Sequence, residues 1–283
     1  MTGVSDLFYS CAPGATPLRI LAVFCALGLG FLALGGCERL LVDDPRDLEP
    51  DPAVLAAQEP IEEPVVIEIP DPHQQPAFVL DKRTQVSVLG YHDFTTGHSS
   101  NPMKINIDKF RGQMQSLVDN GIEVISMTDF LAWKRGEKNL PDPCALITVD
   151  DGWREVYTLA FPVMKEFGFP FTLFLYTNYL DIGGRSLTSD RVREMLEWGA
   201  EVGSHSISHL DMTRRHGLSD EGYEEFLMRE MKESLETLRG KFDRVSNTFS
   251  YPYGKYSQRM IEIGEELGYE AMVTVDGRKT SWS

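Results

Sequence analysis

The chain has 283 residues, 42% of them hydrophobic and 25% charged, with a formal net charge of -16. That composition supplies enough apolar residue for one good core. The acidic balance argues against nucleic acid and anionic lipid surfaces as partners, because like charges repel.

Residues 1–37 read as an address. Ile20 to Leu34 (ILAVFCALGLGFLAL) is an uncharged apolar run preceded by Arg19. It is shorter than the roughly 20 residues of a membrane span and suits the hydrophobic core of an export signal. Leu34-Gly35-Gly36-Cys37 follows it. This stretch resembles a bacterial lipobox, in which the Cys is lipid-modified and becomes the first residue of the mature protein. An uncleaved anchor and a plain cleaved signal are the alternatives. All three place the rest of the chain outside the cytoplasm, and in a Gram-negative cell Glu38 after the Cys, rather than Asp, favours the outer over the inner membrane. Cys11, Cys25 and Cys37 all fall in this region, which leaves Cys144 alone in the remainder with no disulfide partner. A buried small hydrophobe at the start of a strand is its expected role.

Residues 38–81 are dense in Pro, Asp and Glu (DDPRDLEPDP, then QEPIEEPVVIEIPDPHQQP). Proline fixes φ, like charges repel, and too little apolar area is available to offset ordering entropy. The segment reads as an extended spacer or a generic linker, and His73 within it as inert.

From about Thr84 strand and helix patterns alternate. QVSVLGY (85–91) is a β-rich run. Residues 107–120 carry apolar residues at helical spacing and stop at Gly121. GIEVIS is a strand and TDFLAWKRG a short helix. CALITV (144–149) is a continuous apolar run, as expected of a strand buried on both faces. WREVYTLAFPVMKEFG is a helix that Pro162 kinks or divides, and FPFTLFLYT is another buried strand. SDRVREMLEWG starts at a capping Ser189 and stops at Gly199. AEVGS is a strand, about 219–239 a long amphipathic helix, SNTFSY a strand, SQRMIEIGEELG a helix and YEAMVTV a last strand. This alternation implies parallel strands with helices outside, in one α/β domain over residues 82–283. Periodicity does not decide between a closed barrel and an open doubly wound sheet.

In parallel α/β folds chemistry sits at the carboxyl ends of strands. Four strand ends here carry reactive residues: His92; Asp150 and Asp151; His205 and His209; and Tyr253. His205 and His209 would share a face if that stretch is one helical turn, and could then bind one ion. Two adjacent carboxylates are costly to hold together without a cation. As a pair capping the next helix, Asp150 and Asp151 would equally make sense. With the His pair at another strand end, the metal reading is favoured. Trp153 and Tyr176 flank strand ends, suited to sugar rings or to packing. His98 and His216 are expected at the surface.

ITVDDG, SHSISH and FSYPYG, in that order, resemble the three core motifs of the polysaccharide deacetylase family, also called NodB-homology or carbohydrate esterase family 4. The resemblance covers about residues 85–283. It implies a distorted (β/α) barrel of about seven parallel strands. It also implies Asp150 as general base, and Asp151, His205 and His209 as ligands of a divalent metal, with Zn2+ the expected ion. Pro252-Tyr253 matches a motif whose Tyr N–H helps form an oxyanion hole. Many members carry an Arg where this chain has Ser250. Many also take their general acid from a Leu-x-His motif after the last strand, which has no match here. In a subgroup acting on poly-N-acetylglucosamine the acid stands in a Tyr-His pair on the first strand. VLGYHDF is similar to that, which makes His92 the expected acid. The implied function is metal-dependent N-deacetylation of an extracytoplasmic polysaccharide, with poly-N-acetylglucosamine preferred over peptidoglycan and chitin-like chains.

Two other readings compete. A glycoside hydrolase would need two carboxyls several Å apart on separate elements, whereas Asp150 and Asp151 are neighbours and the His pair would have no task. A non-catalytic carbohydrate-binding lipoprotein on the same fold is the second.

Overall fold

The computed structural model describes residues 79–276, Thr280, and the backbone of two short strands, β1 (Ser5–Asp6) and β2 (Phe8–Ser10). Residues 1–14 and 79–283 make up one compact unit. The lipobox with Cys37 and the acidic spacer up to residue 78 lie outside the described residues. Among those described, no helix is long and apolar enough to cross a membrane.

Continuous apolar runs become the middle of the sheet. β7 (Cys144–Asp151) is buried from Cys144 to Asp150. It pairs in parallel with β3 (Val86–Tyr91) along one edge. Its other edge is shared: β6 (Glu123–Ile125) takes Cys144 to Leu146, and β8 (Thr172–Leu175) takes Thr148 to Asp151. β9 (Glu201–Ser204), β10 (Val245–Ser250) and β11 (Ala271–Thr274) follow in parallel order. β3, β6, β7, β8, β9, β10 and β11 are therefore the seven parallel strands implied by the sequence motifs. β1 and β2 add antiparallel edges on β3 and β11, giving nine strands in all. The sheet is curled into a half-barrel rather than lying flat as a doubly wound sheet.

The period of two along a strand divides the core. On β7, Ala145, Ile147 and Val149 pack with residues of α1 (Ile107–Asp119), α3 (Phe161–Phe167) and α4 (Ser189–Trp198). Cys144 and Leu146 face the other way, with Phe174, Val273 and the buried Phe130 and Trp133 of α2 (Met127–Lys134). Burial pushes the Cys144 thiol up to about 12, consistent with an inert packing residue. A third cluster joins α5 (Asp220–Lys241) and α6 (Gln258–Glu266) to β10.

Local expectations needed two corrections, a helix cap and a missed strand pair. Thr188, not Ser189, caps α4 by accepting from Arg191 N, while Ser189 turns its N–H and hydroxyl to the Asp181 carboxylate, 2.6 Å each. As expected, the segment with Pro162 is divided, into a wide π turn (Val156–Ala160) and α3, with Pro162 in the first turn of α3. Between β3 and α1 a small parallel pair, β4 (Asp93–Thr95) with β5 (Lys104–Asn106), escaped the periodicity because three-residue strands are too short to show it.

Candidate active site

β7 delivers Asp150 and Asp151 to the rim of the half-barrel. Asp151 adopts φ 74 and Gly152 φ 86, so the chain turns sharply there. Such a left-handed pair lets neighbouring carboxylates take different directions, at a cost for the non-glycine residue. Neither Asp caps the following helical turn, whose cap position, Glu155, makes no side-chain cap bond. The capping alternative is thereby set aside. Asp150 is buried, accepts from Ser250 Oγ at 2.9 Å through Oδ2, and has no described partner at Oδ1. Asp151 Oδ2 accepts from Trp153 Nε1 at 3.0 Å.

β9 delivers the histidines, but not on a helix. His205 N–H bonds Leu175 O at 3.0 Å, which continues the β8 ladder one step past the strand. Ser206 and His209 then take φ 69 and 56, and the loop folds the second imidazole back over the first. The two ring centroids are 4.8 Å apart. The expectation of one helical turn is corrected, yet the rings still converge. Two bonds shape the loop. Ser206 Oγ accepts from His209 N at 3.0 Å. The carboxylate of Glu230, buried on α5, accepts from Ile207 N and Ser208 N, 2.9 Å each. The sequence held a signal for Glu230: it lies in the apolar stripe of Phe226, Leu227 and Met231, and an acid there needs internal donors.

Asp151 Oδ1 stands 3.5 Å from His205 Nε2 and 3.2 Å from His209 Nε2, and it is buried without a hydrogen bond. His205 Nδ1 lies 2.7 Å from Ser250 O. A carbonyl only accepts, so Nδ1 carries the proton and Nε2 presents a lone pair to the site. Burial alone would raise the Asp151 pKa, but the two imidazoles outweigh it and hold the carboxyl well below the usual range. Burial opposes protonation of His205, while Asp150 and Asp151 raise its pKa. Ligand atoms of Asp151, His205 and His209 lie within 4.8 Å of one another. Two imidazole nitrogens and an unpartnered carboxylate oxygen form a set that fits one divalent cation and leaves positions open.

The third motif closes the site. Pro252–Gly254 is a single 3-10 turn in which Tyr253 takes φ 60. Gly254 N and Lys255 N satisfy Tyr251 O and Pro252 O, so the turn bonds do not use the Tyr253 N–H. A side chain at Gly254 would meet Val275 at 2.3 Å, which is why the turn needs glycine. Tyr253 is 58% exposed, and its ring lies 4.7 Å from the His209 ring.

His92 leaves β3 beside this group: Tyr91 lies abreast of Val149, the residue before Asp150. His92 and His98 line a cavity of about 800 Å³ between the 96–106 loop and α1. Tyr176 stacks on Tyr179 at 5.1 Å and faces His209 at the same distance. Trp153 meets Tyr179 at 5.0 Å and carries the Arg185 guanidinium over its ring at 4.7 Å. His216 is exposed, with Nε2 2.9 Å from Asp211 O.

Residues 137–272 match the family model for polysaccharide deacetylase. The chain is similar to YxkH of Bacillus subtilis (strain 168), provisionally named a polysaccharide deacetylase: 26% identity over 253 residues, 88% of this chain and 86% of YxkH. It is also similar to the poly-beta-1,6-N-acetyl-D-glucosamine N-deacetylase of Staphylococcus epidermidis, with 25% identity over 171 residues. That match takes in 57% of this chain and 58% of the relative's length. Among solved structures, IcaB from Ammonifex degensii superposes with a TM-score of 0.58 and 25% identity, over 66% of this chain and 82% of IcaB. The family match and the curled parallel sheet agree, and the chain carries a polysaccharide deacetylase domain of the NodB-homology type.

Proposed function

We propose that this protein is a metal-dependent N-deacetylase of a polysaccharide outside the cytoplasm, with an N-acetylglucosamine polymer as substrate. The observation that carries the reading is the meeting of Asp151, His205 and His209 beside a second, separately held carboxylate, Asp150. The name of the Staphylococcus epidermidis relative supports poly-N-acetylglucosamine as the polymer.

Asp151, His205 and His209 would hold the cation, with Zn2+ the expected ion. Bound there, it supplies Lewis acidity that polarises the acetyl carbonyl and lowers the pKa of water. Asp150, with Oδ1 unpartnered, accepts the proton of the attacking water. The Tyr253 N–H donates to the oxygen that becomes negative as the carbonyl carbon turns tetrahedral. His92 gives a proton to the departing nitrogen as the C–N bond breaks. The amide and one water thus become acetate and a free amine on the polymer. Trp153 and Tyr176 offer aromatic faces near the reacting group, although the Trp153 N–H is committed to Asp151.

The apolar run before Cys37 supports export, and the small residues before it support lipid attachment at that Cys. The acidic spacer would then hold the domain away from the lipid surface.

Acetate release from N-acetylglucosamine oligomers by the full chain tests the activity, with Zn2+ and after chelation. Asp150→Asn is expected to abolish turnover and retain the metal, whereas His209→Ala loses both. Wild-type release by Asp150→Asn would remove the base assignment. Metal binding with no release from any oligomer would favour the non-catalytic carbohydrate-binding reading.

A further inference from the structure

An aspartate that serves as a base must offer one oxygen in a fixed direction. Its two side-chain torsions are otherwise limited only by packing. Asp150 is 3% exposed, so no bulk solvent orients it. Its one described side-chain hydrogen bond comes from Ser250 Oγ, at 2.9 Å to Oδ2. That contact selects which oxygen is tied and leaves Oδ1 as the acceptor. Ser250 is itself 1% exposed and spans 100 residues of sequence to reach Asp150. The same residue accepts from His205 Nδ1 at 2.7 Å through its backbone carbonyl. Parallel pairing explains how one residue does both: Phe249 lies abreast of Ser204, so the next pair along is Ser250 with His205.

We propose that Ser250 is the positioning residue for the catalytic carboxylate, with its two polar groups assigned separate tasks. The hydroxyl holds Asp150 in its proton-accepting orientation. The carbonyl holds His205 in the tautomer that presents Nε2 to the cation. Because only the hydroxyl belongs to the side chain, substitution separates the two. Ser250→Ala deletes the tie to Asp150 and leaves the backbone contact to His205 in place.

The proposal rests on the deacetylase reading and on Asp150 as its base. The test compares the full-length wild type, Ser250→Ala, Ser250→Thr and Asp150→Asn. It measures kcat and KM for acetate release from an N-acetylglucosamine oligomer, and Zn2+ affinity by competition with a chelating dye. Ser250→Ala is expected to lower kcat about 10- to 100-fold, the range for losing a hydrogen bond to a charged group. KM and Zn2+ affinity should stay within about twofold, set against that larger range. Ser250→Thr, which restores a hydroxyl, should recover most of kcat. Three results would overturn the proposal: kcat unchanged in Ser250→Ala, a loss confined to KM, or a fall in Zn2+ affinity matching the fall in kcat. The last would mean that Ser250 only supports the fold of the site. If Ser250→Thr binds Zn2+ as wild type does yet stays as slow as Ser250→Ala, the hydroxyl is not the active group, and the proposal also fails. Failure of the underlying reading looks different: Asp150→Asn would then turn over like wild type, or no variant would release acetate at all.

Discussion

Two side chains of the Asp-His-His group, His205 and Asp151, have one atom facing the other ligands and a second atom tied down. His205 is tied through Nδ1 to Ser250 O, and Asp151 through Oδ2 to Trp153 Nε1. Such outer partners fix ligand direction, and losing one typically costs about 10- to 100-fold in metal affinity or activity. Trp153→Phe keeps an aromatic ring between Tyr179 and Arg185 but removes the N–H. We expect it to weaken Zn2+ binding about tenfold, read by chelator competition; an unchanged affinity would show that Asp151 is oriented by its backbone alone. Trp153 illustrates what local sequence conveys. Its place beside a strand end was legible, and its aromatic face suggested sugar or packing. The use of its N–H depends on a rotamer that no motif encodes.

Elements carry the site by where they stop. β7, β9 and β10 each end within two residues of a functional side chain, and their register brings those ends to one rim. The opposite ends of the strands carry stability. Glu201, the first residue of β9, is buried, and its carboxylate accepts from Thr128 N and Thr128 Oγ1 at the start of α2. Burial raises its pKa above the ordinary 4.5, and the Thr128 bonds only partly oppose this. A carboxyl whose folded pKa lies above its unfolded value favours folding while protonated. Stability is thus highest below about 4.5 and is lost as pH rises through the raised folded value. Glu201→Gln stays neutral and keeps an acceptor oxygen for Thr128. Relative to wild type, its urea midpoint should therefore improve from pH 4.5 to pH 7.5. A difference that does not change with pH would show that Glu201 titrates alike in both states. In the sequence, Glu201 is simply an acid before VGS; its burial follows from α2 closing over the end of the sheet.

The whole molecule places its chemistry on one rim of a curled sheet of which seven strands are parallel. β1 and β2 belong to the segment that export processing at Cys37 would remove, which would leave those seven strands intact. The lipid-anchor proposal makes a clear demand. Cells expressing the wild-type chain should incorporate labelled palmitate into it, and Cys37→Ser should abolish that label. Label retained in the variant would rule out Cys37 as the attachment point.

By itself the sequence determined the order and type of the long elements, the three motifs, and the assignment of reactive residues to strand ends. Apolar periodicity and capping are local properties, readable within about a dozen residues. Tertiary structure alone decided the rest. It turned SHSISH through two left-handed residues instead of a helix. It buried Glu230 against the His loop and carried Ser250 across 100 positions to Asp150. Those facts depend on strand register and on hydrogen bonds between distant segments; the apolar stripe around Glu230 hinted at its burial, but the spacing of neighbouring residues names no partner for Glu230 or Ser250.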